Sequence, residues 1–148
     1  MKIDRMSSAD LGKVVELADQ LGYKVTVNEA KERLGRISRE SSYALFVSKS
    51  DAGEILGWIQ VNAEPASLLV DATAEIAALV VDQKARSQGI GKALAKQAED
   101  WALENGFSRL RVRSNTKRTD AHRFYLREGF ELSKTSNFFS KSLPQKLD

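Results

Sequence analysis

The sequence predicts an α/β (α+β) fold in which a mixed β-sheet is flanked by helices. Two apolar segments joined by a short polar turn predict an antiparallel hairpin in the first half of the chain, at residues 43–61. In the second half a strand, a helix and another strand follow one another, which is typical of a parallel crossover. The complete order is βααβββαβαββ, with about six or seven strands and about four helices.

The N-terminal third begins with a short strand at residues 2–6. Thr26 followed by Glu29 fits a capping box, which starts a helix that runs through residues 34–37. The hairpin strands then occupy residues 43–48 and 55–61. An earlier helix is capped by Ser7 or Ser8, and its apolar residues recur at helical spacing: Leu11, Val14, Val15, Ala18 and Leu21.

The second half of the chain alternates strands and helices. An apolar run at residues 76–81 predicts a strand buried on both faces. From Gly89 onward, apolar residues at helical spacing predict a helix that Asn105 and Gly106 end with a left-handed cap. Residues 110–112 are predicted to form the next strand, and residues 119–128 a helix that Gly129 stops. Residues 130–133 and 137–143 are predicted to form a closing pair of strands.

The composition indicates one compact domain over residues 1–148, which we expect to lie in the cytoplasm. The chain has 42% hydrophobic and 29% charged residues, which is ordinary for a globular protein. No apolar run is long enough to span a membrane, and the N terminus lacks the apolar core of a secretory signal. With no cysteine and a single histidine, we expect no disulfide, no Cys nucleophile and no metal site. The net charge of +3 comes from interspersed charges, which disfavours nucleic acid as a partner.

A turn between a predicted strand and a predicted helix carries Gly89 and Gly91 and indicates a phosphate-binding site. The first N–H groups of a helix lack internal partners and lie at the positive end of its dipole, and glycine lets an anion approach closely. A dinucleotide-binding turn does not fit, because the third small residue of its pattern falls on Leu94. A P-loop does not fit either, because Lys92 is followed by Ala93 rather than by Ser or Thr.

Two runs of residues carry a resemblance to a known family. The run Arg86-Ser87-Gln88-Gly89-Ile90-Gly91 fits the pattern R/Q-x-x-G-x-G/A and resembles the pyrophosphate loop of the GNAT acetyltransferase superfamily. The run DAHRFYLREGF, residues 120–130, resembles the family's A-x-x-F-Y-x-x-x-G-F helix and following strand. The resemblance covers residues 75–130 and implies the GNAT fold, with a strongly twisted sheet and acetyl-CoA as the co-substrate.

The resemblance also implies where the coenzyme binds. The strands at residues 76–81 and 110–112 would splay apart, the pantetheine arm would lie between them, and an amide between Leu79 and Val81 would bond the thioester carbonyl. Arg118 stands where many family members carry an Asn that bonds the coenzyme backbone, so we do not assign that role to it. Arg118 and Arg123 would instead contact the coenzyme phosphates or remain solvated. The expected coenzyme contacts are Leu79, Val80, Val81, Arg86, Ser87, Gln88, Gly89, Ile90, Gly91, Lys92, Arg118 and Arg123.

Acyl transfer to an amine needs a group, or a water relay, that removes a proton, and an acid that protonates the departing thiolate. By resemblance to the family's histone acetyltransferases, Glu75 is the expected base; the alternative is a solvated charge at the edge of a strand. By the same resemblance Tyr125 is the expected general acid, while Phe124 packs in the core. The alternative is that both rings belong to the core.

The sequence therefore predicts an acetyl-CoA-dependent N-acetyltransferase in which a primary amine attacks the thioester directly. The acceptor, a small-molecule amine or a protein amino group, cannot be read from the sequence. Glu64, Asp71 and Trp58 lie in the segments expected to bind it. The alternatives are a non-catalytic acyl-CoA-binding or regulatory module and a basic nucleic-acid-binding domain. We expect no membrane partner, and a homodimer is compatible with the sequence.

Overall fold

The computed structural model describes residues 1–145, which belong to two compact units. The first unit spans Met1–Asn115 and contains a mixed sheet with three α-helices. The second begins at Thr116 and contains one α-helix within the described residues. The predicted element order is confirmed up to this last helix.

The sheet of the first unit has five strands in the order β1-β2-β3-β4-β5. Its first three pairings are antiparallel, and β4 pairs with β5 in parallel. The mixed sheet is therefore confirmed. The strands are β1 (Lys2–Arg5), β2 (Tyr43–Lys49), β3 (Ile55–Glu64), β4 (Thr73–Val81) and β5 (Leu110–Val112).

Local sequence features account for the helix ends. The Thr26 hydroxyl accepts from the Glu29 N–H and the Glu29 carboxylate accepts from the Thr26 N–H, both at 3.1 Å, which confirms the capping box. Gly106 follows the third helix at φ +83°, as predicted for a left-handed cap. No helix in the described part of the chain is long and apolar enough to cross a membrane. The helices are α1 (Leu11–Asp19), α2 (Val27–Ile37), α3 (Ile90–Glu104) and α4 (Thr119–Arg127), with short 3-10 turns at Ser8–Asp10 and Gln83–Ala85.

The core of the first unit lies on both faces of the sheet. Helix α3 packs on one face, where Gly57, Ile59 and Val61 of β3 are buried. The other face carries a cluster that includes Leu17 of α1, Val47 of β2 and Val80 of β4, with Trp58 packed against it. Residues of β3 on this second face are only half-buried, which leaves the sheet polar and partly open there.

Two sequence-based expectations require correction. The sheet has fewer strands than predicted, because residues 130–133 and 137–143 form no strand within the described part of the chain. A strand needs a hydrogen-bonded neighbour, and an isolated two-stranded hairpin is marginal in water. Apolar side chains of this segment, such as Leu132 and Phe138, are exposed. The segment 76–81 is not buried on both faces either, because Ala77 is exposed and Ala78, Leu79 and Val81 are half-buried.

Candidate functional site

The last half of β4 is distorted by a β-bulge at Ala77. On β3, Gln60 pairs with Ala78 and the next residue, Val61, pairs with Ile76, so Ala77 has no partner of its own. A bulge inserts one residue and changes which edge of the strand the following N–H groups face. The bulge is therefore the feature that sets the direction of the amides near the end of β4.

Beyond the bulge, β4 has an open edge. Its parallel ladder with β5 ends where Ile76 pairs with Val112, and β4 continues for five more residues. The Asp82 N–H donates to the carbonyl of Leu56 at 2.8 Å, on the β3 side. Because N–H groups alternate along an extended strand, those of Leu79 and Val81 point to the opposite, open edge. This edge presents main-chain donors that an amide-containing ligand could use.

The strand leads into residues 82–89, which we call the Gly89 loop. Asp82 caps the 3-10 turn, Arg86 is extended, and Ser87 and Gly89 both have left-handed backbone, at φ +67° and +79°. Left-handed backbone is rare for a residue with a side chain, so Ser87 is a strained position. Residues 86–89 are all exposed, and no side chain of the described residues caps the start of α3.

The start of α3 is anchored while its first N–H groups remain accessible. Ile90 is 2% exposed and fixes the helix to the core, whereas Gly91 is half-buried and Lys92 is exposed. The Gly89 carbonyl already accepts from the Ala93 N–H at 3.0 Å, so the helical hydrogen-bond pattern begins at once. Together with the dipole of this fifteen-residue helix, the free donors of its first turn favour an anion at this position.

Gly57 is a residue that sequence reasoning missed. A Cβ atom there would lie 2.8 Å from the Val80 carbonyl oxygen and 3.2 Å from side-chain atoms of both Ile90 and Leu94. Only glycine therefore lets β3, the end of β4 and the first turns of α3 approach this closely. A glycine inside a predicted strand was the available clue, since such residues often mark a close backbone approach.

Asp82, a second missed residue, is 3% exposed and immediately precedes the 3-10 turn of the Gly89 loop. The hydrogen bond from the Lys84 N–H lowers the pKa of its carboxyl group; burial opposes this effect, and contacts with Gln20 and Lys13 add to it. Asp82 is therefore an ionised cap at the entrance to the loop. An Asp directly after an apolar strand was the available clue.

Glu75 is a buried carboxylate in an ion-pair cluster whose arginines are partly exposed, rather than a solvated charge at a strand edge. It is 8% exposed, its Oε1 lies 3.1 Å from Arg113 Nε, and its Oε2 lies 3.4 Å from Arg111 Nη2. Arg111 also approaches Glu64, at 3.7 Å. The exposed-charge alternative is wrong. Each carboxylate oxygen faces one guanidinium and keeps a second lone pair, so Glu75 can still accept a proton directly or through a water.

Two buried donors lie on the same sheet face as Glu75. Trp58 pairs with Val80 and Arg111 pairs with Glu75, and alternation along the strands puts all four side chains on one face. Within the described residues, Trp58 Nε1 and Arg111 Nε are buried without a hydrogen-bond partner. Buried donors usually have partners, so this face is suited to a ligand that carries oxygen atoms.

The second unit contains Tyr125 and the two expected arginines. The Tyr125 ring makes edge contacts with Phe124 and Phe130, at centroid distances of 5.3 and 5.5 Å. Burial raises the pKa of the Tyr125 hydroxyl above its ordinary 10.0, although Arg118 acts in the opposite direction. The hydroxyl is therefore protonated near neutral pH, as a proton donor must be. Phe124 and Tyr125 are half-buried rather than core residues, and Arg118 and Arg123 are exposed.

Within the described residues, no group of three or more His, Asp or Glu side chains could hold a metal ion. What these residues do offer is a loop with main-chain donors at a helix N terminus, beside a strand edge with free amides. Both features suit a long ligand with a phosphate group and amide bonds.

Comparison with known proteins assigns the chain to a family. The sequence profile of the Acetyltransferase (GNAT) family matches residues 13–130, which include β4, the Gly89 loop, α3 and α4. The protein belongs to this family, and the resemblance stated from the two sequence runs is confirmed. Membership implies acetyl-CoA as the co-substrate.

The similarity extends to individual relatives. Aminoalkylphosphonate N-acetyltransferase of Salmonella typhimurium (strain LT2) is 40% identical over 92 residues, which are 62% of this chain and 58% of that enzyme. The match thus spans little more than half of that relative's length.

Solved structures share the fold over nearly the whole chain. The aminoglycoside 6'-N-acetyltransferase AAC(6')-IG from Acinetobacter haemolyticus has a TM-score of 0.84 at 18% identity, covering 97% of this chain and 100% of that one. A transcriptional regulator from Bacillus halodurans C-125 has a TM-score of 0.82 at 26% identity, covering 95% and 99%. At 18% identity, the first likeness concerns the fold alone.

We expect Gly89→Glu to weaken coenzyme A binding by roughly 100-fold or more, because the added side chain would place bulk and negative charge against the diphosphate. The diphosphate would then lose hydrogen bonds from the loop, and a hydrogen bond to a charged group contributes about 1.5–3 kcal/mol. Gly53→Glu is the matched control. Gly53 also has left-handed backbone, at φ +83°, and like Gly89 has no atom within 4 Å of an added Cβ. Both variants should lose similar thermal stability, while titration calorimetry should show weakened binding for Gly89→Glu alone. Equal affinities would contradict the loop assignment.

Proposed function

We propose that this protein transfers an acetyl group from acetyl-CoA to a primary amine by direct attack of the amine on the thioester. The observation that carries the proposal is the pairing of an open β4 edge with an accessible helix N terminus at the end of the same strand. These two features suit the amide-rich arm and the diphosphate of coenzyme A, respectively. Family membership and the N-acetyltransferase activity of the Salmonella relative support the assignment.

The coenzyme would be held mainly by main-chain groups. The exposed loop residues Arg86, Ser87 and Gln88 and the first turn of α3 would surround the diphosphate. The outward amides of Leu79 and Val81 would bond the arm, and one of them would stabilise the charge that develops on the thioester oxygen. Bound acetyl-CoA supplies the electrophilic carbonyl carbon. Arg118 and Arg123, both exposed in the second unit, remain candidates for the outer phosphates.

In this proposal Glu75 removes a proton from the acceptor, directly or through a water molecule. An alkylammonium with a pKa of about 10.4 carries no free lone pair at neutral pH, so the proton must leave before attack. The nitrogen then bonds to the carbonyl carbon, loses a second proton to water, and the carbon–sulfur bond breaks to leave the amide and the thiolate. Arg111 and Arg113 would keep the Glu75 carboxylate in place while a remaining lone pair accepts the proton, directly or from a water.

Tyr125 would then donate its proton to the departing thiolate. Its raised pKa keeps the hydroxyl protonated at the pH where the amine reacts, and its contacts with Phe124 and Phe130 limit the movement of the ring. A positioned proton donor of this kind contributes about 100-fold or more to a rate. Tyr125 regains its proton from solvent once the free thiol has formed.

The acceptor would bind over the partly open sheet face, where Glu75, Arg111 and Trp58 lie. Carboxylates attract an amine, whereas the unpartnered N–H groups of Trp58 and Arg111 suit an oxygen-bearing group on the same molecule. An amine that also carries oxygen atoms, such as an aminoalkylphosphonate or an amino sugar, fits both requirements. A screen of such amines with acetyl-CoA, monitored by release of free thiol, tests the proposed function. The absence of thiol release with every amine, despite tight coenzyme A binding, would contradict it.

A non-catalytic regulatory module is the second candidate. It is favoured by the similarity to a protein described as a transcriptional regulator, at 26% identity over nearly the whole chain. Such a module would bind coenzyme A without turning it over. The amine screen separates the two functions, because only the enzyme releases thiol in the presence of an acceptor.

We expect Tyr125→Phe to lower kcat by about 100-fold while changing the dissociation constant of coenzyme A by less than about threefold. The substitution removes only the hydroxyl and preserves the ring contacts. Tyr23→Phe is the control, since Tyr23 is 66% exposed and lies in the turn before α2. Steady-state kinetics with the best amine from the screen provide the measurement, and an unchanged kcat would remove Tyr125 from the mechanism.

We expect Glu75→Gln to lower kcat/KM by about 100-fold at pH 7, with the defect shrinking as the pH approaches the pKa of the amine. At high pH the amine loses its proton without help, so a missing base matters less. A purely structural role would leave a constant defect across the pH range and would contradict base catalysis. Glu64→Gln, which alters the same ion-pair cluster, should show a small defect that does not depend on pH.

A further inference from the structure

The Gly89 loop is tied to the body of the first unit at its entrance. Asp82 donates its N–H to the Leu56 carbonyl at 2.8 Å, and its Oδ1 accepts from the Lys84 N–H at 3.1 Å. Lys13 of α1 places its Nζ 3.5 Å from the other carboxylate oxygen. The entrance of the loop is thus fixed by the hydrogen bonds of Asp82 and by the ion pair between Asp82 and Lys13 of α1.

A second contact from the end of α1 is more specific. Gln20, the residue that follows α1, donates from Nε2 to Asp82 Oδ1 at 3.3 Å and accepts at Oε1 from the Gln83 N–H at 3.0 Å. One carboxamide therefore bridges the side chain of Asp82 and the backbone of the next residue. The partners lie 62 and 63 positions apart in the chain, so no local pattern would have linked them.

Only a side chain with both a donor and an acceptor can make this bridge. A carboxylate would face Asp82 with like charge, and an apolar side chain would leave the Gln83 N–H without the Gln20 oxygen. Asn carries the same group but is shorter by one methylene. The contact is therefore specific for the glutamine carboxamide.

The loop residues after the bridge, 86–89, are not packed into the core. Residues 86–89 are exposed, and Ser87 holds left-handed backbone, which is unfavourable for a residue with a side chain. Their far end is fixed by Ile90 and by the close approach of Gly57 to α3. A strained, exposed loop keeps one conformation only if both of its ends are fixed, and Gln20 provides part of the near anchor.

We propose that Gln20 is a positioning residue for coenzyme binding, which fixes the direction in which the Gly89 loop presents its main-chain donors. The inference rests on the proposed function in one respect, namely that this loop binds the diphosphate. Gln20 itself touches no coenzyme atom in this account and acts through Asp82 and Gln83.

The test compares the affinity of Gln20→Met and of the wild-type protein for coenzyme A by titration calorimetry, with the melting temperature measured in parallel. Met matches the length of Gln without its donor and acceptor. We expect the dissociation constant to rise about threefold to tenfold, the equivalent of one hydrogen bond. Lys24→Met is the control, because Lys24 is exposed and forms its ion pair with Asp19, at the same end of α1.

The outcomes separate this inference from the proposed function. Weakened binding by Gln20→Met, with wild-type affinity in Lys24→Met, supports positioning by Gln20. Equal dissociation constants, even with a lowered melting temperature, would mean that the bridge only stabilises the fold and would overturn the inference while leaving the proposed function in place. A wild-type protein that does not bind coenzyme A would overturn both.

Discussion

The structure depends on a set of main-chain N–H groups that are held in fixed positions and have no hydrogen-bond partner among residues 1–145. Unpaired backbone donors are costly when buried, so they persist where solvent or a ligand satisfies them. In this protein they occur along the β4 edge beyond Ile76 and at the exposed start of α3. Because both sets lie on one strand–loop–helix segment, a single extended ligand can satisfy them together.

The rest of the first unit keeps these donors in place. The bulge at Ala77 turns the amides of Leu79 and Val81 toward the open edge, and the early end of β5 leaves that edge unpaired. Gly57 lets the first turns of α3 pack directly beside the end of β4. The packing that stabilises the first unit therefore also sets the geometry of the site.

The sequence predicts the parts of this arrangement that depend on local chemistry. The Gly89 loop and the capping box at Thr26 follow from short patterns that act within a few residues. The Ala77 bulge depends on the register with β3, and the bridge from Gln20 joins residues far apart in the chain, so neither can be read locally. The closing strands were predicted from residue type alone, which does not show whether a neighbouring strand is present to pair with them.

The most direct test is a heteronuclear NMR titration of the backbone amides with coenzyme A. We expect the largest shifts at Gln88, Gly89, Gly91 and Lys92. Pantetheine, which lacks the diphosphate, should leave these four signals in place. Saturating coenzyme A that moves a different group of amides, or none, would contradict the claim that this loop holds the diphosphate.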